Sequence, residues 1–209
     1  MIELTNLYLF IATSFVLCLS PGPDNIFVMT QGITKSKQAA FITTLGLSSG
    51  IIIHTTAAAL GISVIFQTSQ IAFDVVKFAG AFYLMYLAYK AFKHRNDPLT
   101  FGKKESKKDL KNLYVKGFIM NILNPKVSIF FLAFLPQFVT VANGSVPLQM
   151  ITLGVVFMVT TVVVFTSMGI LANRLGAKIV SNPSISKYLN IITSGVFFSL
   201  GLKLAFSQR

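Results

Sequence analysis

From Ala39 to Phe73 the chain contains no lysine, arginine, aspartate or glutamate, and Leu4 to Pro23 is equally free of formal charge. About 20 apolar residues suffice to cross the hydrocarbon core of a bilayer as a helix. Runs of this length therefore decide the class of fold before any finer pattern is read. The composition agrees, with 54% hydrophobic residues, 11% charged residues and a mean hydropathy of +0.71. A soluble domain of this size has too little interior to hide so much apolar surface. The chain is expected to be an all-α integral membrane protein.

Six spans are predicted. They run from about Leu4 to Met29, Ala40 to Phe66, Ile71 to Phe92, Leu113 to Phe138, Leu148 to Ala172 and Tyr188 to Phe206. Polar turns are expected at Gln31 to Gln38, at Gln67-Thr68-Ser69-Gln70 and at Asn143 to Pro147, with a basic connection from Arg174 to Lys187. Asp74 and Lys77, three residues apart, suit an ion pair on one helix face. Met1 to Leu4 lacks the basic stretch of a cleaved leader, so the first run is expected to be a retained span.

The net charge of +12 is concentrated. Between Lys90 and Lys116 there are nine basic and three acidic residues, half of the total excess. Charge grouped in one loop beside apolar spans is an orientation signal, not a nucleic-acid footprint. It also offers anionic lipid a contact between Lys103 and Lys111. The first, third and fifth connections carry the lysines and arginines, while the second and fourth carry none. The positive-inside rule thus puts the basic connections in the cytoplasm and both termini outside. Tyr83, Tyr86 and Tyr89 read as anchors at the cytoplasmic interface.

Two spans are interrupted. Pro21-Gly22-Pro23-Asp24-Asn25 breaks the first, and Asn124-Pro125-Lys126 breaks the fourth. Proline removes a backbone donor, and a broken backbone at membrane depth survives only against protein or a polar cavity. A charged residue at each break favours a cavity, because ionisable groups inside a bilayer are costly unless paired or working.

The breaks also align two halves. Pro23-Asp24 matches Pro125-Lys126, Thr44-Leu45-Gly46 matches Thr152-Leu153-Gly154, and Gly80-Ala81-Phe82-Tyr83 matches Gly195-Val196-Phe197-Phe198, in the same order. A repeat of three spans must insert its second copy upside down, the inverted-repeat plan of many secondary transporters. The expected division is 1–92 and 113–209 as the repeats, with 93–112 as a basic loop.

With both motifs at this spacing, the chain resembles the LysE/RhtB amino-acid exporters over essentially its whole length. That resemblance implies an inner-membrane exporter of amino acids or close relatives, driven by the proton gradient. The superfamily also contains cation exporters, which stand as the alternative.

Asp24 is the first candidate, for a substrate ammonium or a coupling proton; the competing role is to cap the helix that follows. Lys126 is its proposed counterpart, holding a carboxylate or pairing with Asp24 when the site is empty, against simple snorkelling to the surface. Asn25, Asn121 and Asn124 add amide groups, and carbonyls freed by Pro21, Pro23 and Pro125, around Gly22, add acceptors. His54 can carry protons but is more often a hydrogen-bonded packing residue. Gly46 and Gly50 allow close helix approach, within the chain or in a homo-oligomer. Cys18, the lone cysteine, reads as a packed residue. The apolar surroundings favour a neutral amino acid. No metal-ligand cluster, cofactor fingerprint or catalytic set stands out, so no cofactor, metal or enzyme activity is expected.

Overall fold

The computed structural model describes residues 2–62, 70–97, 110–180 and 182–206. The expected turn at Gln67 to Ser69 and most of the Lys103 to Lys111 loop lie outside them.

Among the described residues the chain forms eight α-helices and no strand. In order they are α1 (Leu4–Leu19), α2 (Pro23–Thr34), α3 (Lys37–Ala57), α4 (Gln70–Lys93), α5 (Leu110–Ile122), α6 (Pro125–Ile129), α7 (Val146–Val180) and α8 (Pro183–Ala205). A π-helical turn, Ala58–Ile62, extends α3, while Phe130–Phe134 (π) and Leu135–Phe138 (3-10) extend α6.

Helix starts follow the capping chemistry. The Ser36 hydroxyl accepts from Ala39 N–H and opens α3. Asn124 and Asn182 accept from the second backbone N–H that follows and open α6 and α8, each with proline in first position. Near the end of α7, Gly176 has φ 75°, a left-handed conformation that glycine adopts without a Cβ penalty.

Three helical segments, Lys37–Gly61, Val146–Gly176 and Lys187–Ala205, are each long and apolar enough to cross a membrane. The pairs α1–α2 and α5–α6, bent by 60° and 49°, bring the number to five if each is one span. The 24-residue α4 occupies the segment expected as the third span, and its Lys77 ammonium meets Asp74 at 2.9 Å as its spacing predicts. On α7, Val155, Val159 and Val163 form an exposed apolar stripe, the surface that lipid solvates.

Two expected boundaries move. The first turn shrinks to Lys35 and Ser36, because Gln31 to Thr34 stay helical in α2. There Gly32 lies against the backbone of Gly169, and Asn173 Nδ2 donates to Gly32 O at 2.7 Å. Tertiary packing overrides the polarity of that stretch. Likewise, Arg174 and Lys178 belong to α7 and Lys187 to α8, leaving a much shorter connection than the sequence predicts.

The interior is organised by α3, which packs on α5 and α7, with α4 on α8 and α2 on α7. Gly46 abuts the Tyr114 backbone, and a Cβ on Gly117 would come within 2.7 Å of Thr43 O. The small-residue stripe of α3 thus faces α5 inside the chain. Phe10, Phe130, Phe134 and Phe138 form a block with Phe157 and Phe131, the nearest centroids 5.1–5.3 Å apart in five pairs: Phe10–Phe138 at 5.1 Å, Phe134–Phe138 at 5.1 Å, Phe130–Phe134 at 5.2 Å, Phe131–Phe157 at 5.2 Å and Phe130–Phe157 at 5.3 Å.

Candidate functional site

A proline cannot donate to the carbonyl four residues before it. Pro21 therefore strands Leu17 O, Pro23 strands Leu19 O, and Pro125 leaves Asn121 O with the N–H of Asn124 as its backbone donor. Each of these acceptors is met by a side chain. The Lys126 ammonium donates to Leu17 O and Ser20 O, both at 2.9 Å. Asn25 Nδ2 lies 3.2 Å from Cys18 O, 3.4 Å from Leu19 O and 2.7 Å from Ser20 O, while its Oδ1 accepts from Gly22 N–H at 2.8 Å. His54 Nε2, from α3, lies 3.0 Å from Asn121 O. A carbonyl only accepts, so this nitrogen carries the proton. The break in one half is thus sealed largely by a lysine from the other.

Asp24 sits in the first turn of α2 and is 4% exposed. It does not cap that helix; Gly22 occupies the N-cap, and Asn25 reaches back to it. Instead Asp24 Oδ2 accepts from Asn121 Nδ2 at 3.0 Å, across the two halves of the chain. Asp24 Oδ1 and Asn121 Oδ1 are buried without a hydrogen-bond partner. An acceptor left in that condition costs about 1–3 kcal/mol, so each oxygen calls for a donor, a water included. Asp24 and Lys126 do not pair directly. The freed carbonyls hold the ammonium instead, and one of its three N–H donors remains for another group.

Two cavities meet here. A small inner one, about 20 Å³, is lined by Asp24, Asn121, Asn124 and Lys126 together with Cys18, Phe157, Thr161 and Phe165. That volume suits a water rather than an amino acid. A vestibule of about 490 Å³ runs past Pro21, Gly22, Pro23, Pro125 and Lys126 along α4, from Tyr83 to Lys90 and His94. Ser20, Gly22, Asn124 and Lys126 line both, and so form the wall between them.

Every residue expected at the site, Pro21 to Asn25, Asn121 and Asn124 to Lys126, therefore lies at the meeting of the two breaks. His54 touches it through Asn121 and lines neither cavity. Tyr83, expected as an interface anchor, lines the vestibule. Thr161, Phe157 and Phe165 were not legible beforehand, because a threonine in an apolar run looks like its neighbours Thr152, Thr160 and Thr166. Cys18 is packed as expected but also borders the inner cavity.

The LysE type translocator family model matches residues 15–208. The chain belongs to that family. It is 32% identical over 204 residues, 97% of each chain, to the homoserine/homoserine lactone efflux proteins of Salmonella typhi and Salmonella typhimurium. It is 28% identical over 210 residues to the uncharacterized membrane protein YrhP of Bacillus subtilis, covering 97% of this chain and 99% of that one. No solved structure matches. As a LysE-type translocator the chain is a multi-pass membrane transporter and not an enzyme.

Proposed function

We propose that this translocator exports small neutral amino acids across the cytoplasmic membrane by alternating access, in exchange for protons. One observation carries the reading. Asp24 and Asn121, each with a buried acceptor oxygen that has no hydrogen-bond partner, line the same cavity as Lys126, whose ammonium has a donor to spare. An amino-acid head group needs acceptors for its ammonium and a cation for its carboxylate, and these residues offer both.

In this reading Asp24 holds either the substrate ammonium or a proton, never both. Release of substrate to the outside frees Asp24 to take a proton, which it gives up to the cytoplasm before the next substrate binds. His54 positions Asn121 and stays outside the proton path. Counting α4, the molecule has six spans in two inverted halves with both termini outside. The vestibule then opens to the cytoplasm, and the phenylalanine block closes the outer side. The exporter relatives, named for homoserine and its lactone, support a short polar side chain. Export of cations is the poorer reading, since a metal ion would need more ligands and would sit beside the Lys126 ammonium.

The test is loss of intracellular amino acids from cells preloaded with dipeptides, comparing wild type, Asp24→Asn and Lys126→Met at matched membrane levels. The reading expects faster loss of particular amino acids with wild type and none above empty-vector cells with either variant. Undiminished efflux from both variants would remove the site.

A further inference from the structure

Hydroxyls in these helices are mostly turned back on their own backbone. Thr43, Thr44, Thr55 and Thr160 each donate to the carbonyl four residues earlier, at 2.8–3.0 Å (2.8 Å for Thr43, 3.0 Å for Thr44, 2.8 Å for Thr55 and 2.9 Å for Thr160). Thr161 departs from this habit. Among the described residues its Oγ1 meets only the Cys18 thiol, at 3.5 Å, and the residue is 2% exposed on the wall of the inner cavity. A thiol is a weak partner, whether donor or acceptor. Phe157 and Phe165 lie one turn before and one turn after it on α7, so the hydroxyl sits between two rings facing the same cavity.

Thr161 lines the same cavity as Asp24, Asn121 and Lys126. The space there is water-sized, so it admits the hydroxyl end of a short side chain whose head group is held by Asp24, Asn121 and Lys126. We propose that Thr161, backed by Cys18, is the specificity-determining residue, binding a hydroxyl on the side chain of a short amino acid. The inference rests on the zwitterion reading of Asp24 and Lys126 and adds to it the part that selects among neutral amino acids. Phe157 and Phe165 limit the length and exclude a charged end. A site that hydrogen-bonds a substrate hydroxyl discriminates strongly against the analogue lacking it, whereas a plain apolar pocket does not.

The experiment is counterflow into proteoliposomes of wild type, Thr161→Val and Thr161→Ser, using homoserine and norvaline, which match in shape and differ in the terminal hydroxyl. Wild type is expected to favour homoserine; Thr161→Val should reduce that preference by about tenfold, the weight of one hydrogen bond, while still carrying norvaline. Thr161→Ser should keep the preference, which separates the hydroxyl from the shape of the residue. An unchanged preference in Thr161→Val, or a preference lost equally in Thr161→Ser, overturns the proposal. If wild type carries neither compound, the amino-acid reading itself fails, and that result is distinct from a transporter whose preference ignores Thr161.

Discussion

Asn121 holds the site together with two different atoms. Its Nδ2 donates to Asp24, its backbone carbonyl takes His54 and the N–H of Asn124, and its Oδ1 is buried without a hydrogen-bond partner. It fits because residue 50 is glycine: a Cβ there would stand 2.7 Å from Asn121 Oδ1 and 2.8 Å from its Cβ. Gly50→Ala is therefore expected to push Asn121 off Asp24. Overpacking of this kind costs roughly 1–3 kcal/mol, and efflux should fall further than the melting temperature suggests. Gly61→Ala, with open space around it, is the control and should leave both unchanged. At His54 the account expects glutamine, which keeps a donor for Asn121 O, to retain most of the pH-gradient-driven transport, and phenylalanine to lose it. Proteoliposomes with an imposed pH gradient would decide. Loss of gradient response in His54→Gln with exchange intact would instead put His54 on the proton path.

The broken helices were the most legible elements, because a proline dictates which carbonyl goes unsatisfied wherever the chain is packed. Lys126 and Asp24 could be named from their places beside those prolines. Which groups answered the freed carbonyls was not legible, since Lys126 and His54 arrive from other helices. The same limit explains the misplaced boundaries. Gln31 to Thr34 look like a turn by polarity, yet Gly32 against Gly169 keeps them helical. Pro21→Ala restores the N–H that Leu17 O lacks, and the bend of 60° should relax. That variant is expected to lose transport at a cost in stability of only about 0.4–1 kcal/mol, because Pro21 lies in the link between α1 and α2 and not inside a helix. Efflux and thermal unfolding measured on the same preparation check it; full transport with an unbent α1–α2 pair would refute the role given to the break.

At the scale of the molecule, the pairing of α3 with α5 and α7, and of α4 with α8, is compatible with two halves related by a twofold axis. The sequence matches behind that idea do not all behave alike. Gly80 packs against Ala133, whereas a Cβ on its partner Gly195 would meet nothing within 4 Å. Membrane composition repeats short words without repeating contacts, so the motifs around the prolines carry more than the glycine matches do. Orientation is testable through the vestibule. In a Cys18→Ala background, Ala91→Cys should react with a membrane-impermeant maleimide in inside-out vesicles and be shielded in intact cells. Labelling from the outside only would reverse the assigned orientation.

The central claim is that one site reads both charges of a substrate at once, Asp24 and Asn121 taking the ammonium and Lys126 the carboxylate. The most direct measurement is binding to the purified protein of homoserine, of 3-aminopropan-1-ol, which lacks the carboxylate, and of 4-hydroxybutanoate, which lacks the ammonium. A hydrogen bond to a charged group is worth about 1.5–3 kcal/mol, so each analogue should bind roughly 10- to 100-fold more weakly. Lys126→Met should erase the advantage of homoserine over the amine alone. Equal binding of either single-charge analogue, or homoserine binding unchanged by Lys126→Met, would contradict the account.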